Sequence, residues 1–132
     1  MKASSESLRA MLDKAQAKLA AAQRELQAGW PGEAASRAYY AVFHAIAAVL
    51  ATRGLSFSSH AQAIGAFNRE FVKSGLFPSD ATKAIHRLFE DRQIADYDWV
   101  TCVDAETGAR DVSDAERLVD ACRDYIENHI ET

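Results

Sequence analysis

The chain has 132 residues, of which 48% are hydrophobic and 26% charged, and a formal net charge of −4. A chain of this length buries roughly two-thirds of the surface its unfolded form exposes, so one core without disulfide or metal staples is feasible. The composition excludes a disordered chain. The acidic balance excludes a general electrostatic attraction to nucleic acid, so any RNA or DNA contact has to be local.

No clear period-2 alternation appears, and every long segment reads as helix. The first runs from about Ser5 to Ala28, with Leu8, Leu12, Ala15, Leu19, Ala22 and Leu26 on one face and charged or amide side chains opposite. "AGWPGE" ends it: Gly29 suits a left-handed stop and Pro31 the first turn of the next helix. The second helix, Pro31 to about Arg53, carries Ala35, Tyr39, Val42, Ile46 and Val49 on one stripe and Tyr40, Phe43, Ala47 and Leu50 on its neighbour. So apolar a helix is expected to be central. Gly54 follows its end, where Leu55 can pack back on Leu50.

The third helix starts after "SFSS", with Ser59 and Gln62 spaced as a capping box. Its inner face is Ile64, Phe67, Asn68 and Phe71, and Gly75 with Leu76 folding onto Phe71 ends it. Ser79 is the expected cap of the fourth helix, which covers about Asp80 to Asp96. Arg92 there lies in line with the core positions Ala81, Ile85, Leu88 and Ala95. "YDWVTCVD" breaks the pattern. The fifth helix then runs from about Ala105 to Ile130, with Ala105, Ala109, Val112, Ala115, Val119, Cys122, Ile126 and Ile130 inward and Gly108 weakening its first turn. The expectation is one all-α domain over residues 1–132, an up-and-down bundle of five helices.

Two cysteines, Cys102 and Cys122, are too few for a disulfide framework and read as buried thiols in a reducing compartment. The N-terminal "MKASSESLRAMLDKA" has no apolar run and argues against a secretory signal. "AYYAVFHAIAAVLA" falls short of the ~18 uncharged apolar residues of a membrane span and contains His44. A cytoplasmic protein that crosses no membrane is expected.

Phosphate-binding loops, metal-binding pairs and nucleophile elbows are all missing, so no cofactor and no metal ligand is expected. What stands out is polarity on the second helix. Arg37 and His44 lie two turns apart on one face, with Tyr40 between them. Either this seam pairs with acids of "EDRQIADYD" or lines a dimer contact, or Arg37, His44, Arg92, Asp96 and Tyr97 converge on a cleft for a nucleotide or RNA phosphate. His60, at a helix start, suits a structural role or the same cleft.

"RAYYAVFHA" on the second helix, "FVKSGLFP" at the third turn and "RQIADY" ending the fourth resemble the HEPN family (higher eukaryotes and prokaryotes nucleotide-binding), in particular small stand-alone prokaryotic members. The resemblance covers residues 36–98. It implies an α-helical bundle that commonly forms homodimers and that is often encoded beside a nucleotidyltransferase-like partner in toxin–antitoxin-type pairs. Active HEPN ribonucleases carry an arginine and a histidine with four to six residues between them, which act without metal on the 2′-OH and the phosphate. Here Arg92 occupies the arginine position, but Tyr97, preceded by Asp96, stands where the histidine belongs. Arg37–His44, Arg53–His60 and Arg123–His129 show similar spacings elsewhere, a pattern common enough to carry little weight.

Three functions follow. The first is a homodimeric nucleotide- or RNA-associated module working with a nucleotidyltransferase-like partner, with Arg37, Tyr40, His60 and Tyr97 in binding roles. The second is a divergent metal-independent ribonuclease toxin using Arg92 for phosphate, His44 or His60 as base, and Asp96 as a weaker base. The third is a structural dimer without a ligand.

Overall fold

A computed structural model describes residues 2–131. It contains five helices: α1 (Ser5–Gln27), α2 (Pro31–Ala51), α3 (His60–Phe67), α4 (Ala81–Tyr97) and α5 (Ala105–Glu131). No strand occurs among the described residues.

Helix α2 is the centre of the bundle. Eleven of its residues are buried, six of them alanines (Ala34, Ala35, Ala38, Ala41, Ala45 and Ala48). Small side chains on several faces let α1, α4 and α5 approach its backbone closely, and α1 presents its own Ala15 and Ala22 in alternation with Leu12 and Leu19. By length and composition α2 is apolar enough to cross a membrane, but 61% of its most apolar window is buried by the other helices, the setting of a core helix. The antiparallel pairing of α1 with α2 is tied at its open end by the Ala3 N–H donating to the Ala51 carbonyl at 3.1 Å.

The helix stops follow the sequence closely. Gly29, Gly54 and Gly75 all take positive φ, and the Leu55 N–H donates to the Leu50 carbonyl at 3.1 Å. Ser59 accepts from the Gln62 N–H at 3.3 Å. Four details differ. After Gly75 it is Phe77, not Leu76, that returns to the core: its N–H reaches the Phe71 carbonyl and its ring meets Phe67 and Phe71, while Leu76 is exposed. The end of α3 widens into a π-turn over Asn68–Val72, which brings both Phe71 and Val72 inward. Ser79 does not cap α4; the backbone closes that turn through Ala81 N–H to the Pro78 carbonyl, and Asp80 reaches Arg117 at 3.4 Å. Cys122 is buried, which pushes its thiol pKa up, whereas Cys102 is exposed in the loop before α5.

The start of α5 departs most from its sequence pattern. Ala105 and Ala109 face solvent, and Gly108 and Asp111 face inward. The reason is steric. A Cβ on Gly108 would stand 2.8 Å from Pro31 Cβ and 3.1 Å from its Cα and carbonyl oxygen, so only glycine lets α5 rest on the first turn of α2. One turn on, the Asp111 side chain is fully buried beside Asp91, whose partner Arg110 approaches to 3.0 Å. Burial, then the adjacent Asp91 carboxylate and the charge of Asp114, raise the Asp111 pKa to about 8, against the opposing pull of Arg110.

Two outcomes test this seam. Gly108→Ala should destabilise the fold by about 1–3 kcal/mol in denaturant titrations, because overpacking against the Pro31 backbone outweighs the helix-propensity gain. Asp111 stays protonated in the fold after the unfolded chain has ionised, so stability should fall as pH rises from the ordinary carboxylate range towards 8. Asp111→Asn should flatten that slope in thermal melts run between pH 5 and 8.

Candidate functional site

The buried face of α4 is Ala81, Ala84, Ile85, Leu88 and Arg92. The register that places Leu88 in the core therefore carries Arg92 inward one turn later, and it is only 7% exposed. At this level α2 offers tyrosines instead of aliphatic side chains. The guanidinium carbon lies 5.0 Å from the ring centroid of Tyr39, 5.4 Å from Tyr40, 5.3 Å from Phe89 and 5.9 Å from Tyr97. Each ring is within cation–π range, and the desolvated setting strengthens such contacts towards ~2 kcal/mol.

The ion pairing of Arg92 is loose. Asp96, one turn on along α4, stands at 3.8 Å, beyond a normal hydrogen bond, and the Arg92 Nε has no hydrogen-bond partner. A guanidinium with an unpaired buried N–H and a displaceable carboxylate is suited to an incoming oxyanion.

His60 joins the same cluster from the start of α3, where the Ser59 cap orients the backbone. Its Nδ1 is 2.8 Å from the Tyr39 hydroxyl and its ring stacks on Phe43 at 3.9 Å with an interplanar angle of 22°. Burial and then the Arg92 charge lower the His60 pKa, which favours the neutral imidazole. Tyr39 is fully buried, and burial raises its pKa against the hydrogen bond and charge of Arg92. Arg92, Tyr39 and His60 thus form a polar chain through the aromatic layer, and Tyr40 packs edge-on to both Tyr39 and His60.

Tyr97, two-thirds exposed, marks the solvent edge of the cluster. Beyond it, the Asp98 carboxylate accepts from the Val100 and Thr101 N–H groups at 2.9 and 2.8 Å, which lowers its pKa and holds the loop that displays Trp99 and Val100. A cleft of about 390 Å³ lies between Gln93, Ile94, Tyr97, Asp98 and Trp99. Another, of about 360 Å³, runs between Trp30, Gly32, Ala95 and Cys102. Arg92 lines neither; its guanidinium is covered by the surrounding rings and does not open onto either cleft.

The structure therefore brings Arg92, Asp96, Tyr97, Tyr40 and His60 together. Arg37 and His44 occupy the adjoining stripe of α2. Arg37 pairs with Glu33 of its own helix at 4.0 Å and not with an acid of α4, and its Nε has no hydrogen-bond partner. His44 is half-buried; burial lowers its pKa, with Lys14 and Lys18 of α1 and then His60 adding to the effect. Tyr39, Phe43 and Phe89 are the contributors that pattern reading misses as site residues. A tyrosine on a core stripe carries no outward sign that its hydroxyl will meet a histidine 21 positions later. Among the described residues, no three His, Cys, Asp or Glu side chains gather as a metal would require.

The His60 imidazole should titrate below the usual value of about 6.5 in a histidine NMR titration, and Arg92→Gln should move it upward by removing one of its two causes.

The family model described as "HEPN domain" matches residues 8–127. A Thermotoga maritima protein named "UPF0332 protein" is 39% identical over 95 residues, 72% of each chain. Two Methanocaldococcus jannaschii proteins are also similar. "Putative toxin MJ0605" is 33% identical over 92 residues, 70% of this chain and 69% of that protein. "Putative toxin MJ0142" is 29% identical over 91 residues, 69% of this chain and 62% of that protein. The helical bundle, the arginine that closes α4 and a family match running from α1 to α5 lead to one assignment: the chain belongs to the HEPN domain family.

Proposed function

We propose that the chain is a nucleotide- or RNA-phosphate-binding module of a toxin–antitoxin-type system, with Arg92 as its phosphate anchor. It works as a homodimer with a nucleotidyltransferase-like partner. The observation that carries the reading is the Arg92 guanidinium: desolvated among four rings, unpartnered at Nε, and held by a carboxylate at 3.8 Å that an oxyanion can replace. Tyr40 and Tyr97 offer ring surface beside it for a base. The relatives named as toxins support the toxin–antitoxin setting.

A second reading, metal-independent RNA cleavage, is favoured by the Tyr39–His60 contact. The family's histidine is replaced by Tyr97 in sequence, but His60 supplies an imidazole to the same cluster in space. A base role needs the tautomer in which Nδ1–H donates to the Tyr39 oxygen, leaving Nε2 to take the 2′-OH proton. His44, one turn along α2 from Tyr40, is the less direct base, because it is His60 that meets the Tyr39 hydroxyl.

Binding is tested by titrating fluorescent AMP and a labelled RNA 12-mer into the purified protein. Arg92→Gln should weaken binding roughly 10- to 100-fold, the loss of a charge-assisted contact worth about 1.5–3 kcal/mol. Absence of binding to either probe by the wild type would reduce the protein to a structural dimer. Cleavage is tested with labelled RNA in EDTA: the second reading expects cutting by the wild type, loss in both Arg92→Gln and His60→Asn, and retention in His44→Asn.

A further inference from the structure

Among the described residues, four of the six exposed large hydrophobic side chains belong to one region: Trp30, Tyr97, Trp99 and Val100. The cleft beside Trp30 and the cleft beside Tyr97 and Trp99 share Ile94 and Asp98 as a common wall. The three rings therefore border one surface, made by the start of α2, the end of α4 and the loop after it. Trp99 and Val100 are almost fully exposed, and Trp30 and Tyr97 about two-thirds exposed. At roughly 150–250 Å² per aromatic side chain, the rings alone leave on the order of 500 Å² open, the upper end for a patch on a monomer. Asp98, accepting from the Val100 and Thr101 N–H groups, holds the loop in this display, so little ordering is needed when the face is covered. The face is also acidic. No lysine, arginine or histidine stands between Arg24 and Arg37 or between Arg92 and Arg110, whereas these intervals hold Glu25, Glu33, Asp96, Asp98, Asp104 and Glu106. Backbone N–H donors lower the pKa of Asp98 and Asp104. The charged residues that line the two clefts, Glu33 and Asp98, are both acids, and Glu33 meets Arg37 only at 4.0 Å.

We infer that this face docks a basic, amphipathic segment of a partner protein, whose apolar side chains fill the two clefts and whose lysines or arginines meet Glu33, Asp98 and the indole rings. Charge decides among the occupants. A polynucleotide or an anionic lipid surface would bring negative charge to a face that already carries it. A second copy related by a two-fold axis would set the same acids against one another. A cation is attracted twice, by the carboxylates and by the faces of tryptophan rings, the best of the cation–π acceptors. Tryptophan and tyrosine are also the side chains that concentrate binding energy in protein interfaces. The inference stands apart from the reading of Arg92, which lines neither cleft.

Both tryptophans of the chain border the face, so their fluorescence reports its occupation. The probe is a tryptophan-free amphipathic helical peptide of leucine, alanine and arginine, followed by anisotropy when fluorescein-labelled and by protein tryptophan emission when unlabelled. It is compared with a peptide carrying glutamate for arginine and with one carrying serine for leucine. The wild type should bind the leucine–arginine peptide with a blue shift of tryptophan emission, and each counterpart roughly 10-fold more weakly or less. The Trp99→Ser/Glu33→Gln double variant, at exposed positions, should lose about 10-fold in affinity for it. Leu76→Ser/Glu116→Gln, exposed outside the face, should leave that affinity unchanged. No binding of the leucine–arginine peptide would overturn the inference. So would equal binding of either counterpart, or an equal loss in the Leu76/Glu116 variant, since these outcomes mark general charge or apolar attraction. A blue shift that grows with protein concentration without peptide would overturn it in favour of a second copy, and one produced by the RNA 12-mer in favour of nucleic acid.

Discussion

Helix α2 has almost no side left for water, and that constraint organises the molecule. Its alanines bring α1, α4 and α5 within close reach, and the few large side chains among them decide what each neighbour must offer. Where α2 is aliphatic, the partners are aliphatic. Where it turns aromatic, at Tyr39, Tyr40 and Phe43, the partners become Arg92 and His60. The change of chemistry on one helix is thus what creates a polar site inside an apolar bundle.

The cost of that site is visible in its electrostatics. Arg92 is desolvated and its carboxylate partner is distant, so the rings carry much of its stabilisation. Burial, and then the positive charge, lower the pKa of the neighbouring His60, and the charge opposes the burial effect on the Tyr39 hydroxyl. A core selected for stability alone would replace such a group with a hydrophobe at little or no loss. Its position beside the exposed Tyr97 is the feature on which the proposed function rests.

The seam between α4 and α5 is set by a close steric fit. Gly108 on Pro31 sets the depth of α5, and that depth carries Asp111 into the interior beside Asp91. Asp91 is the immediate neighbour of Arg92 in sequence but faces the other way, towards Arg110. The same turn of α4 therefore has the buried Asp111 and its neighbour Asp91 behind it and the cation layer in front, which fixes its orientation from both sides.

Much of this was legible from sequence because it is local. Helical periodicity, the Ser59 cap, the glycine stops and the inward register of Arg92 depend on residues within a turn or two of each other. The motif resemblance over residues 36–98 pointed to the family that the match over residues 8–127 shows. What sequence could not decide is which side chains meet across helices. Leu76 and Phe77 are equally apolar, and only the geometry of the turn selects Phe77 for the core. Ala105 and Ala109 keep the helical step as well as Gly108 and Asp111 do, and only the approach of Pro31 selects the latter pair. Arg37 found its partner on its own helix, while His60, with nothing in its local sequence to announce it, met Tyr39 and the field of Arg92. Periodicity determines which face a residue occupies; the packing of that face against another helix determines what the residue can do.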